Sequence, residues 1–113
     1  MNKTELIGRV VRDADVRYSQ GDKPMAIART SLAVDRKFKQ EGQPTADFIN
    51  CIAFGKIAEV IEKYVVKGTK IAVVGHIQTG SYTNKDGQKV YTTDVVIDEL
   101  EFCESRSSQQ SNS

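Results

Sequence analysis

The chain has 113 residues, 39% of them apolar and 27% charged, enough for one domain around a single core and with no apolar run near the roughly 20 residues that a membrane helix needs. The formal net charge is only +1, but residues 1–39 carry nine Lys/Arg against five Asp/Glu while residues 92–113 carry one against five. The total excludes a uniformly basic nucleic-acid binder and leaves room for one basic surface on a near-neutral chain.

Residues 6–11 are a β-rich run with Gly8 inside it, and an internal glycine marks a bulge or bend. Asp13-Ala14-Asp15 breaks the run, and residues 16–18 are expected to pair again briefly. Residues 19–24 make a loop by their turn residues. Residues 25–34 read as the second long strand, with Ala28, Thr30, Leu32 and Val34 on the core face and Ile27, Arg29, Ser31 and Ala33 on the other. Strand side chains alternate between faces. A polar connection over 35–44 then places Phe38 among Arg36, Lys37 and Lys39. A ring among three cations suits a stacking platform beside phosphates better than a core.

Residues 47–54 are the central strand. Phe48, Asn50, Ile52 and Phe54 share one face, and Ile49, Cys51 and Ala53 share the other. The second set is small and apolar, fit for a tight interior. The first has an amide between two aromatics, which suits an open face on which unpaired bases could stack. The competing reading, both Phe in the core, is the stronger one for two Phe taken alone.

A helix is expected over about 56–66, with Ile57, Val60, Ile61, Tyr64 and Val65 at helical spacing, Tyr64 therefore structural, and Gly68 in the left-handed position that ends a helix. Residues 69–79 form the third long strand. His76 near its end lacks metal-spaced partners and reads as structural. Residues 80–91 form a hairpin arm turning at Asn84-Lys85-Asp86-Gly87. Tyr82 on this arm lies near Lys85 and Lys89, and its competing role is cross-strand partner to Tyr91. Residues 91–102 form the last strand, with Tyr91, Thr93, Val95 and Ile97 on one face. Residues 104–113 contain no apolar side chain and begin a disordered tail.

Five strands with one helix between the third and fourth predict an all-β chain with one helix: the OB-fold, a five-stranded Greek-key barrel. In that fold strands two and three and the loops joining strands one–two and four–five face the ligand. Phe38, Phe48, Phe54 and Tyr82 all fall at that address.

These residues also resemble a known family. Leu6 through Arg9 with Asp13 through Tyr18, Asp47 through Lys56, Lys67-Gly68, and Gly75 through Tyr82 are similar, in order and spacing, to the bacterial single-stranded DNA-binding proteins over about residues 3–103. The resemblance implies a homotetramer that wraps single-stranded DNA, with stacking positions at Phe38, Phe48, Phe54 and Tyr82. Two departures stand out. The family commonly has Trp at stacking positions, and this chain has none; Gly80 lies where members often carry Arg. The acidic tip by which members dock onto replication and repair enzymes is not within residues 104–113, so such partners are expected only if a tail continues beyond residue 113. A short or tail-truncated member, a paralogue and a phage-encoded form all remain open.

The expected organisation is a DNA-binding domain over 1–103 and the start of a tail over 104–113. The expected activity is sequence-independent binding and protection of single-stranded DNA during replication, recombination and repair. Candidates for phosphate contact are Arg9, Arg17, Arg29, Arg36, Lys37, Lys39, Lys56, Lys85 and Lys89. No enzyme, metal or cofactor is expected, since no catalytic constellation, phosphate loop or ligand cluster is present. Asp13 and Asp15 read as turn residues. Cys51 and Cys103, with no Cys-x-x-Cys, read as reduced structural thiols. The N-terminus lacks a secretory apolar segment, so a cytoplasmic, nucleoid-associated home without membrane is expected. Two alternatives are an RNA-binding or primosome-type OB module acting as a dimer and a protein-interaction barrel. A nuclease is a third class that lacks the ligands it would need.

Overall fold

The computed structural model describes residues 1–103; the expected tail over 104–113 lies outside the described residues. The strands are β1 (Thr4–Val10), β2 (Asp15–Tyr18), β3 (Ala26–Asp35), β4 (Ala46–Phe54), β5 (Lys70–Thr83) and β6 (Lys89–Phe102), with helix α1 (Lys56–Tyr64) between β4 and β5. They hydrogen-bond in the order β1-β5-β6-β4-β3-β2, and β1 also pairs with β3. The pairings therefore run round a closed circuit of five strands, with β2 on the free edge of β3. This is the OB-fold arrangement, one helix following the third strand of the circuit. The 16–18 segment pairs again briefly as expected, in the four-residue strand β2, antiparallel from Asp15↔Arg29 to Tyr18↔Ala26.

β1 can serve two partners because of Gly8. A Cβ there would lie 2.6 Å from the Ala33 carbonyl oxygen, so only glycine lets β1 cross β3 this closely. Beyond it Arg9 and Val10 pair with Ala33 and Leu32, while Thr4 to Arg9 pair with β5.

The β3–β4 register sorts the two faces. Ala28, Thr30 and Leu32 stand opposite Ala53, Cys51 and Ile49; Ile27, Arg29, Ser31 and Ala33 stand opposite Phe54, Ile52, Asn50 and Phe48. The first set faces inward and is closed by Val10, Ile61, Ile71 and Val73, all fully buried. The small residues Cys51 and Ala53 leave room for these branched side chains, as expected.

The helix departs from expectation at its end. It stops at Tyr64, and Val65 is extended, its N–H donating to the Ile61 carbonyl. The buried stripe is Ala58, Ile61 and Val65, at i, i+3 and i+7, so Val65 lies in the core as expected while Tyr64, expected there too, falls to the side of the stripe and is 65% exposed. Gly68 has the expected positive φ of 91°. It serves a turn closed by Thr69 N–H on the Val66 carbonyl rather than the helix end itself.

Candidate nucleic-acid interface

The outer face of β3 and β4 is built by register. Alternation along β4 puts Phe48, Asn50, Ile52 and Phe54 outward, and β3 adds Arg29 and Ser31 between them. β2 adds Arg17, opposite Ile27. β6 joins through the parallel pair Ile52↔Val96, and β5 brings Gln78 and Tyr82 to the same side, opposite Asp94 and Val90.

The four expected rings are all solvent-accessible: Phe38 79%, Phe48 70%, Phe54 42% and Tyr82 57%. The reading that places both central Phe in the core does not hold, because the inner face is already filled. Asn50 is paired: Ser31 Oγ donates to Asn50 Oδ1 at 2.9 Å, and Arg12 Nη2 donates to Ser31 Oγ at 3.4 Å. The amide thus keeps a partner on an open face.

Phe54 forms one wall of a cleft of about 240 Å³ with Ile27, Arg29, Gln78 and Asp94. Phe48, six residues away on the same strand, lies about 20 Å off. Phe38 stands in the connection between β3 and β4, with Lys37 Nζ 5.8 Å from its ring centroid. Tyr82 stands on the arm, where β5 and β6 run on beyond the circuit. The arm turns as expected: Asn84 Oδ1 accepts from Asp86 and Gln88 N–H, and Gly87 has φ 79°.

The nine candidate cations differ in how they are held. Arg36 is committed: its Nη2 lies 2.8 Å and its Nε 3.1 Å from the Asp47 carboxylate. Hydrogen bonding to Arg36 lowers the Asp47 pKa and the same bond raises that of Arg36. Arg9 donates to the Gly68 carbonyl at 2.9 Å, and Arg17 Nε lies 3.4 Å from Asp15. Arg29 stands beside Phe54 in the cleft. Lys37 covers Phe38. Lys39 is an exposed loop residue, Lys56 opens the helix, and Lys85 is at the turn of the arm. Lys89 is not beside Tyr82 as expected. It pairs opposite Thr83, on the reverse face of the arm, and its Nζ lies 5.3 Å from the Tyr91 centroid. Tyr91 stands opposite Ser81, so Tyr82 and Tyr91 are not direct cross-strand partners.

The remaining chemistry-bearing residues are held structurally. Asp13 Oδ1 accepts from Lys67 N–H at 2.8 Å, and His76 Nδ1 lies 3.0 Å from Asp98 Oδ2. Cys51 is buried and Cys103 exposed, both free; burial pushes the Cys51 thiol up to about 11. Among the described residues no group of three or more His, Cys, Asp or Glu could hold a metal ion, and no helix is long and apolar enough to cross a membrane.

Residues 1–103 match the model of the single-strand binding protein family. The chain is 50% identical over 105 residues to a single-stranded DNA-binding protein of Clostridium perfringens, covering 93% of this chain and 67% of that one. It is 45% identical over 112 residues to single-stranded DNA-binding protein 3 of Clostridium acetobutylicum, covering 99% and 77%. Against the single-stranded DNA-binding protein of Enterococcus faecalis it is 44% identical over 111 residues, covering 97% and 58%.

Proposed function

Because this chain belongs to the single-strand binding protein family, a family of binding proteins rather than enzymes, we propose that it coats and protects unpaired DNA without reading its sequence. The observation that supports this is the outer face with three accessible rings, Phe48, Phe54 and Tyr82, beside Arg17 and Arg29, together with the exposed Phe38 of the β3–β4 connection. Bases have π-faces whatever their identity, so stacking on such rings is sequence-tolerant. It contributes on the order of 1–3 kcal/mol per base in OB-fold single-strand binders, this family included. Phosphates are alike along the strand, so Lys and Arg contacts add affinity without discrimination.

Among the nine candidate cations, Arg29 is the strongest for phosphate contact, since it stands beside Phe54. Lys37, Lys39, Lys56 and Lys85 have long, exposed side chains that can reach a backbone. Arg9, Arg17 and Arg36 must share or exchange an existing partner first. In the fuller reading four copies assemble into a homotetramer, and the protein works at replication, recombination and repair sites in the cytoplasm, associated with the nucleoid. Docking of replication and repair proteins would require an acidic tail tip, which residues 104–113 do not contain.

The test is anisotropy titration with equal lengths of oligo(dT), oligo(U) and duplex. Strong binding to oligo(dT), weaker binding to RNA and much weaker binding to duplex is the expected order. A tenfold or greater preference for RNA would replace this reading with an RNA-binding module.

A further inference from the structure

Tyr91 has no place in the interface just described, yet its ring is 76% exposed and Lys89 Nζ stands over it. Register fixes its face. Tyr91 is opposite Ser81, Thr93 opposite Thr79, and Val95 opposite Ile77, whereas Tyr82 and Val90 lie on the reverse side. At the base of the arm this is the inner face of the sheet, where Val95 is buried. Farther out it is open, because β4 pairs with β6 only at Cys51↔Val95 and Ile52↔Val96.

Between the first half of β4 and β6 lies a cleft of about 340 Å³, lined by Leu6, Phe48, Asn50, Ile77, Thr93 and Asp94 among others. Phe48 is a wall on the β4 side and Thr93 a wall on the arm side. Tyr91 is the next residue beyond Thr93 on the same face, about 7 Å farther along the strand. The cleft thus holds Phe48 and Thr93, and Tyr91 lies beyond it, on the same face of β6 as Thr93. By register Thr79, Ser81 and Lys89 share that face of the arm with Thr93 and Tyr91.

The geometry points to Tyr91 and Lys89 as a further binding site for single-stranded polynucleotide on the reverse face of the arm. Lys89 covers one side of the Tyr91 ring as a cation–π partner and leaves the other side for a base, while its ammonium stays within reach of the adjoining phosphate. A strand stacked on Phe48 then continues past Thr93 to Tyr91. The two tyrosines of the arm would hold different segments of the strand. This rests on the reading of the protein as a single-strand binder.

The test uses the full chain with long oligo(dT), some thymines replaced by 5-iodouracil, in two measurements. Ultraviolet cross-linking of the unaltered protein is expected to give an adduct on the peptide bearing Tyr91. In titration, Tyr91→Ala is expected to bind about tenfold more weakly, the loss of one stacked base, and Tyr91→Phe to bind like the parent. Phe54→Ala runs alongside. If Phe54→Ala weakens binding while Tyr91→Ala does not and no Tyr91 adduct forms, this inference falls and the proposed function stands. If Tyr91→Ala instead changes the mass in solution without DNA and no adduct forms, the ring is a protein contact and the inference falls too. If the parent protein does not bind oligo(dT), both fall.

Discussion

Phe48 and Phe54 are six positions apart on β4, and the core behind them is already complete. Their rings contribute little to folding compared with Leu32 or Ile71, which are fully buried. Phe48→Ala is therefore expected to leave stability within about 0.5 kcal/mol of the parent while weakening oligo(dT) binding by about 1–3 kcal/mol. Chemical denaturation and anisotropy on the same sample separate the two effects. Arg29→Ala is expected to weaken binding to all sequences alike and to flatten the dependence of log K on log salt by about one contact; titrations across a salt series read this directly. The Arg36–Asp47 pair has a different signature. Asp47 is held below its ordinary pKa chiefly by its hydrogen bond to Arg36. Its contribution to stability is thus present above the unfolded carboxylate value of about 3.9 and lost as pH falls through the lower folded value. Melting temperatures of the parent and Asp47→Asn are expected to differ at pH 7 and to draw together as pH falls below the ordinary carboxylate range. A gap that stays constant or widens in acid would contradict the assignment.

The elements show what a one-dimensional pattern can carry. Alternation alone separated the faces of β3 and β4 correctly, because a period of two leaves no other choice once one face is small and apolar. The arm was legible from Asn84 to Gly87, since those side chains set the turn locally. Register was not legible there. The partner of Tyr91 depends on which residues the turn aligns, and the alignment chosen puts Tyr82 and Tyr91 on opposite sides. That is why the sequence suggests Lys89 beside Tyr82 whereas the fold sets it over Tyr91. Tyr64 fits the apolar spacing of the helix, but the face that meets the core centres on Ala58, Ile61 and Val65 and leaves Tyr64 at its margin. Gly8 was readable as a bend but not as a crossing point, because its reason is Ala33, 25 positions away. Gly8→Ala is expected to destabilise the fold by roughly 1–3 kcal/mol, the usual range for overpacking, and thermal unfolding checks it. An unchanged melting temperature would mean that β1 and β3 can separate without penalty.

At the scale of the molecule, one sheet surface brings together side chains from β2, β3, β4 and the arm that are distant in sequence. The small net charge conceals this, because acidic residues crowd the last strand while arginines gather on β1 to β3. Attraction between that surface and phosphates is a salt-sensitive term, and stacking is not. The two can be separated in one titration. The most direct measurement is tyrosine fluorescence during addition of oligo(dT) at low and at high salt, on the parent protein and on Phe48→Ala/Phe54→Ala. Saturable quenching that weakens with salt in the parent, with affinity reduced at both salts in the double variant, is the expected result. Equal affinity of parent and double variant at both salts would contradict base stacking on the outer face of β4.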